Sequence, residues 1–313
     1  MIQLAFTAEG TWARHASAML HSALSRTSDV RFNCYVMYAD GARPDGLEHV
    51  DTVARQFGAS LQRLPIPLAW LEGFPTKHFH RAAWYRILLP RLLPEVQRVL
   101  YLDADIIVTD DLRPLWETDL GGALFAAATN PLYPFMPDWP KETLGVLDPR
   151  RYINSGVLLL DLRAMRDENV IDAMLAYARS HPENTCPEQD ALSALYHDRL
   201  KLLHPRWNVQ NTLFDLRPEQ LPFSIEDIRA AKQNPAVIHF IAFKPWEYVC
   251  AHPLRDLYHE HLAATPWPPA PLEGRTLFNH LLYPLPIRWR YHALRLRANL
   301  RKLSRRLRNM RRT

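Results

Sequence analysis

Two aspartates one residue apart, Asp103 and Asp105, stand directly behind an apolar run, Val99-Leu100-Tyr101-Leu102. In an open α/β sheet, ligands bind beyond the carboxyl ends of the strands. Carboxylates two apart in an extended segment lie on the same face, about 7 Å apart along the chain. A turn after the strand lets both approach one cation. Hard oxygen donors of this kind suit Mg²⁺ or Mn²⁺ bridging a diphosphate. Taken alone, the pair reads equally as a solvated loop with a helix-capping aspartate. No Gly-x-Gly-x-x-Gly and no Walker-type loop occurs, so the sequence offers neither an NAD-type nor a P-loop cradle for phosphate.

The pair belongs to a longer stretch, Val99 to Val108, that continues to Asp111-Leu112-Arg113-Pro114-Leu115-Trp116. This stretch resembles the core signature of family 8 of the retaining glycosyltransferases. That family includes lipopolysaccharide galactosyl- and glucosyltransferases and the glycogenins. Three further blocks carry the same resemblance: Asn154-Ser155-Gly156-Val157, Glu188-Gln189-Asp190, and His239-Phe240 followed by Lys244-Pro245-Trp246. Their order and spacing match over residues 2–260.

The resemblance implies a site. Asp103 and Asp105 would hold the divalent ion, Mn²⁺ or Mg²⁺, with His239 as third ligand; a neutral imidazole suits Mn²⁺. Lys244 would add a point charge on the donor's phosphates. Arg86, after Trp84-Tyr85, matches a donor-contacting arginine. The segment Ala8, Glu9 and Trp12 and the residue Ala104 would line the nucleotide. Asn154 would bond donor-sugar hydroxyls. Glu188, Gln189 and Asp190 would line the far side of the sugar and carry the catalytic role. Plainer readings stand beside these: a core histidine for His239, a surface lysine, an exposed helix arginine, a turn amide for Asn154, and a helix first turn for residues 188–190, where acids favour the dipole. Retention of configuration is open to a carboxylate nucleophile or to front-face attack. An amide at Gln189 is a poor nucleophile and favours the front face.

Two departures from the family pattern are visible. The first strand leads to Glu9-Gly10-Thr11-Trp12, where the family has two acids, Asn and Tyr. Trp12 can stack on uracil as well as Tyr can, and uridine stays the expected base. The loop His239-Phe240-Ile241-Ala242-Phe243-Lys244 lacks the family's glycine, a position where backbone comes close to phosphate. Glu188 in place of Asp adds a methylene.

The elements that must position these groups follow from the apolar pattern. Strands are expected at residues 2–8, 32–38, 60–64, 98–102, 123–128, 156–162 and 237–240. Helices are expected at residues 13–23, 47–57, 81–93, 165–179 and 190–196. Residues 130–149 form a long loop, a feature often tied to function. Strand–helix alternation implies a helix-covered α/β sheet, and the resemblance makes it the mixed sheet of nucleotide-diphospho-sugar transferases, the GT-A type. Pro266, Pro268, Pro269 and Pro271 read as a stiff linker. The expected division is a catalytic domain over 1–265 and an appendage over 266–313.

The 313 residues carry 38 Lys or Arg and 33 Asp or Glu, a net of +5. No acid follows Glu273, and twelve basic residues lie from 274 onward; 26 basic against 33 acidic remain, a body of −7 with a basic tail. In the tail, Leu296, Leu300, Leu303, Leu307 and Met310 recur at helical spacing among arginines, with Trp289 and Tyr291 upstream. That pattern reads as an amphipathic anchor on an anionic membrane surface; a coiled-coil helix and non-specific phosphate binding are the alternatives. No apolar run is long enough to span a bilayer. The N-terminus lacks a basic leader, and Cys34, Cys186 and Cys250 form no motif. A cytoplasmic protein, peripheral on the inner membrane face, is expected. The activity expected is transfer of galactose or glucose from a UDP-hexose to a glycolipid or oligosaccharide such as lipopolysaccharide core, with no specific nucleic acid. A catalytically silent nucleotide-sugar-binding or scaffolding protein is the alternative.

Overall fold

The computed structural model describes the chain except residues 43–44, 73, 75–80, 134–142, 183, 185, 287–288, 291, 294–295 and 297–313. Seven strands form the main sheet in the order β3-β2-β1-β4-β7-β6-β8. They are β1 (Ile2–Thr7), β2 (Phe32–Ala39), β3 (Ser60–Ile66), β4 (Arg98–Leu102), β6 (Phe125–Ala127), β7 (Val157–Asp161) and β8 (Leu200–Leu202). β1, β2, β3 and β4 run parallel, and β7 is antiparallel to both β4 and β6. Three short strands, β5 (Ile106–Val108), β10 (Val237–His239) and β9 (Val209–Gln210), form a second sheet.

Both faces of the main sheet are covered, as its near-continuous apolar strands require. On one face α1 (Ala13–Arg26) and α2 (Leu47–Gln56) pack Met19, Leu20, Val50 and Val53 onto Leu4, Phe6 and Leu100. On the other face Trp84, Ile87, Met165, Met174 and Leu192 pack onto Tyr101, Leu158 and Leu160. Each core is apolar and closely filled, so the strand ends between them are fixed in space.

Several elements differ from the periodicity. Residues 81–88 form a 3-10 helix followed by a single α-turn, Leu89–Leu92. Pro90 has no N–H to continue a regular ladder. The expected helix over 165–179 is two helices, Leu162–Asp167 and Val170–Ser180, divided at Asn169 with φ 52°. The helix at 190–196 begins earlier, at Pro187, where proline suits the first turn. Strands β5, β8 and β9 are two or three residues long, too short to show a period.

The proline-rich segment after 265 is laid against the body. Trp267 donates from Nε1 to Ser17 Oγ (2.9 Å), and its ring fills the space where Gly46 has no side chain. Glu273 bonds through its backbone to Trp246 and Tyr248 (2.8 Å each). Farther on, the buried Arg290 donates to the Val249 carbonyl (2.9 Å). Trp289 and Leu296 are exposed; Tyr291 and the rest of the leucine stripe lie outside the described residues.

Candidate active site

β4 ends at Leu102 and the chain turns at once. Asp103 to Asp105 carry it out of the main sheet into β5, which pairs antiparallel with β10. The turn draws together two carboxylates that an extended strand would hold on one face but about 7 Å apart. In the β5–β10 register Ile106 faces His239, so the last residue of β10 arrives beside the turn. One ligand atom from each of Asp103, Asp105 and His239 lies within 4.8 Å of the others. His239 Nε2 is 3.3 Å from Asp105 Oδ1 and 3.9 Å from Asp103 Oδ2.

Lys244 reaches the same point from the loop after β10. Its ammonium donates to Asp105 Oδ2 and to the Phe240 carbonyl (3.0 Å). Burial pushes the Asp105 carboxyl up, but Lys244 and then His239 outweigh it and hold it well below the usual carboxylate range. The Lys-Pro-Trp block is docked on α1. Trp246 stacks on His15 at 3.5 Å, and His15 Nδ1 is 2.6 Å from the Tyr258 hydroxyl. Burial pushes His15 down to about 3, so it is a neutral ring near neutral pH.

Arg86 walls the opposite side. It is buried, contrary to the exposed-helix alternative, and pairs with Asp103 (Nη2 to Oδ1, 2.9 Å). It also donates to the Ser155 carbonyl at 2.6 Å and lies over the Tyr101 ring. Burial opposes its charge and Asp103 more than restores it. Tyr101, two residues before Asp103 on the same strand face, donates to Asp103 Oδ1 at 2.7 Å. Two buried or half-buried donors thus fix the orientation of one carboxylate. The donor set of two oxygens and one ring nitrogen converging on a point fits Mn²⁺ or Mg²⁺.

Behind this cluster, the segment leading into β7 and the helix Pro187–Tyr196 supply amides, hydroxyls and acids. Ser155 Oγ donates to Glu188 Oε1 (3.1 Å), and Ser155 N donates to Gln189 Oε1 (3.1 Å). Gln189 Nε2 donates to the Tyr152 hydroxyl at 2.9 Å. Asp190 is fully buried and accepts from Tyr152 and from Cys186 N (2.9 Å each). Its carboxylate therefore closes the start of the helix, the plainer of its two readings. Glu188 is different: its Oε2 is buried and has no hydrogen-bond partner among the described residues, and burial above all raises its pKa. Asn154 is buried and accepts from Gly156 N (3.0 Å) and Asn208 Nδ2 (2.9 Å).

On the other flank Ala8 and Ala104 are buried small residues, and Glu9 is half-buried. Trp12 keeps 40% of its surface exposed and stands edge-on to Trp246 at 5.4 Å. Its indole is a surface platform rather than a core residue.

Tyr101 had no role in the sequence reading, although its position two before Asp103 was a signal that could have found it. Ser155 and Gly156 lay inside a recognised block without roles of their own. Asn208, 31 residues before His239, carried no signal.

A family model, glycosyl transferase family 8, matches residues 3–250 of this chain. The chain belongs to that family. It is accordingly a glycosyltransferase, with sequence relatives of similar extent. General stress protein A of Bacillus subtilis (strain 168) is 28% identical over 268 residues, spanning 83% of this chain and 92% of its own. The lipopolysaccharide glucosyltransferase WaaO of Escherichia coli (strain K12) is 27% identical over 261 residues, 80% of this chain and 74% of that one. A crystal structure of the galactosyltransferase LgtC with donor and acceptor sugar analogs superposes with a TM-score of 0.75 at 23% identity, covering 86% of this chain and 98% of LgtC. At that identity the likeness is one of fold: the mixed sheet is of the GT-A type.

Proposed function

We propose that this glycosyltransferase moves a hexose, galactose or glucose, from a UDP-sugar to a lipopolysaccharide-type glycan with retention of configuration, and depends on a divalent ion. The observation that carries this reading is the meeting of Asp103, Asp105 and His239 within 4.8 Å at the ends of β4 and β10, in a chain of this family. When bound, Mn²⁺ or Mg²⁺ would supply Lewis-acid stabilisation of the leaving diphosphate. Lys244, placed beside Asp105, would turn its charge to the same phosphates. Arg86 would hold Asp103 in place, and Trp12 would stack on the base, with Ala8, Glu9 and Ala104 lining its edge. Asn154 and Glu188 would bond donor-sugar hydroxyls.

The front-face route is favoured over a covalent intermediate. Gln189 is an amide whose oxygen accepts from the Ser155 backbone and whose nitrogen donates to Tyr152, and Asp190 is spent on Tyr152 and Cys186. Neither is presented as a nucleophile. The leaving phosphate would then take the acceptor's proton.

The lipopolysaccharide acceptor is suggested by the name of the relative WaaO. We assign the catalytic unit to residues 1–265 together with the segment packed on it through Trp267, Glu273 and Arg290, and membrane-surface attachment, on the cytoplasmic side, to the basic residues after Ala293. Among the described residues no helix is long and apolar enough to cross a membrane. The deciding experiment is release of UDP from UDP-galactose and UDP-glucose, with and without Mn²⁺ and with EDTA. Mn²⁺-dependent release from one of them is expected. Tight binding without release points instead to a silent nucleotide-sugar-binding protein, and no response to metal overturns the cation site.

A further inference from the structure

We propose that Asn208 is a positioning residue that sets the hydrogen-bonding polarity of both halves of the site: it presents His239 Nε2 to the cation and the Asn154 NH₂ to the donor sugar. This rests on the roles given above to His239 and Asn154.

The inference starts from a group whose polarity is fixed. Gly156 N–H is a backbone donor and meets the Asn154 side chain at 3.0 Å. The atom it meets must be the amide oxygen, since an NH₂ cannot accept. Asn208 approaches that same oxygen at 2.9 Å, so it must offer its own NH₂. The other end of the Asn208 amide is then a carbonyl oxygen. That oxygen stands 3.1 Å from His239 Nδ1, and an oxygen only accepts, so Nδ1 carries a hydrogen. In a neutral ring the lone pair is left on Nε2, the nitrogen that faces Asp105 and Asp103. Metal coordination takes that form of imidazole, with the tautomer set by the partner of the other nitrogen.

The same relay orients Asn154. With its oxygen held by two donors, its NH₂ is the end available to a hydroxyl. Asn208 is itself well placed to act rigidly. It is 1% exposed, joins the turn Pro205–Trp207 to β9, and its backbone N–H bonds to the Pro205 carbonyl at 3.0 Å. One amide therefore ties the ligand from β10 to the sugar-facing amide before β7. A side chain that merely filled space would not need both ends of an amide.

Two substitutions separate the two ends. Asn208→Asp keeps an acceptor for His239 Nδ1–H but turns an acceptor towards the Asn154 oxygen. Asn208→Leu removes both bonds. The full chain is titrated with UDP over a range of Mn²⁺ concentrations, and then with UDP-galactose and UDP-glucose at saturating Mn²⁺. For Asn208→Asp the apparent Mn²⁺ affinity should stay within about threefold of wild type, because a carboxylate behind a ligating histidine is a favourable arrangement. The gain in affinity of the preferred UDP-hexose over UDP should fall about fivefold or more, the effect of about one misdirected hydrogen bond. For Asn208→Leu the Mn²⁺ affinity should fall about 10–100-fold as well. Equal loss of Mn²⁺ affinity in both variants, or wild-type behaviour of Asn208→Leu on both readouts, overturns the proposal. If Asn208→Leu does not fold, the Asn208→Asp titrations decide alone: lost Mn²⁺ affinity or an unchanged sugar gain overturns it. Failure of the underlying cation site has its own signature: wild-type UDP binding that is the same in Mn²⁺ and in EDTA.

Discussion

Gly156 lies directly against the imidazole of His239: a Cβ at position 156 would stand 2.2 Å from His239 Cε1 and 2.8 Å from Asp103 Oδ2. Its carbonyl also accepts from Asp103 N at 2.9 Å. The absence of a side chain at 156 is thus what lets β7, β4 and β10 close on one point. The requirement is one of space, since its backbone φ is not among the positive ones.

Gly156→Ala should accordingly disturb the site more than the fold. The methyl group has no flexible neighbour to displace, because His239 is buried and pinned by Asn208. Overpacking of this kind costs about 1–3 kcal/mol. Transferase activity should fall at least about tenfold, the value of about 1.4 kcal/mol, with a modest drop in melting temperature. Wild-type activity in a folded variant would show that His239 has room to move and takes no part.

Asp103→Asn and Asp105→Asn should each remove most activity while leaving a folded protein. The two are not equivalent, however. Asp103 answers Arg86 and Tyr101, whereas Asp105 answers Lys244 and His239. Asp103→Asn therefore leaves the buried Arg86 without its carboxylate and Asp105→Asn does the same to Lys244, but each removes a cation ligand, so both should weaken Mn²⁺-supported UDP binding. Full activity of both variants, or of wild type in EDTA, sinks the cation role.

Much of this site was legible from four short blocks through their resemblance to the family; from the residues alone, only the carboxylate pair directly behind an apolar strand stood out. What stayed hidden depended on contacts distant in sequence. Asn208 meets Asn154 across 54 residues and His239 across 31, and nothing local marks it. Arg86 was expected at the donor from the resemblance, with an exposed helix arginine as the alternative; the structure buries it in a 3-10 helix where a regular helix was expected. The long strands were legible from apolar runs. β5, β8 and β9 were not, since two or three residues cannot display an alternation.

Glu188 gives a pH-dependent test. Burial raises its pKa above the ordinary 4.5, and Arg86 only partly opposes this. A carboxyl whose folded pKa is raised favours the folded state when protonated. Its contribution is fully present below about 4.5 and is lost as pH rises through the higher folded value. Glu188→Gln is neutral throughout and keeps the shape. Without ligand, it should melt higher than wild type at pH 8 by about 2 °C or more, from about 1 kcal/mol of relieved burial. The gain should shrink as pH falls towards 4.5. A gain independent of pH, or a loss at pH 8, would contradict a strained carboxylate held for a sugar hydroxyl.

Trp12→Ala should weaken UDP binding with little effect on folding. The indole is partly exposed and meets its neighbours edge-on, so its removal leaves no large cavity. Stacking on a base is worth about 1–3 kcal/mol, or about 5–150-fold in affinity. Calorimetry with UDP measures it directly. Unchanged affinity together with a lower melting temperature would make Trp12 a packing residue for Trp246 instead.

The basic tail yields the last prediction, and the structure decides where to cut. Removing everything after Ala270 would take away Glu273, which is hydrogen-bonded to Trp246 and Tyr248 beside Lys244, and the buried Arg290. That truncation should lose stability and donor hydrolysis for reasons unrelated to a membrane. A cut after Ala293 keeps both anchors and still removes nine of the twelve basic residues that follow Gly274. The body left behind is acidic and should be repelled by an anionic surface, so attraction must come from the segment removed. Each Lys or Arg near such a surface contributes about 1 kcal/mol and is screened by salt within about 10 Å. Residues 1–293 should therefore melt like the full chain and hydrolyse UDP-hexose at a similar rate, yet fail to sediment with anionic vesicles that retain the full chain at low salt. Vesicle binding that survives the cut would place the membrane contact on the body. Loss of a dimer at the same cut, with no vesicle binding by the full chain, would make the leucine stripe a helix-pairing surface.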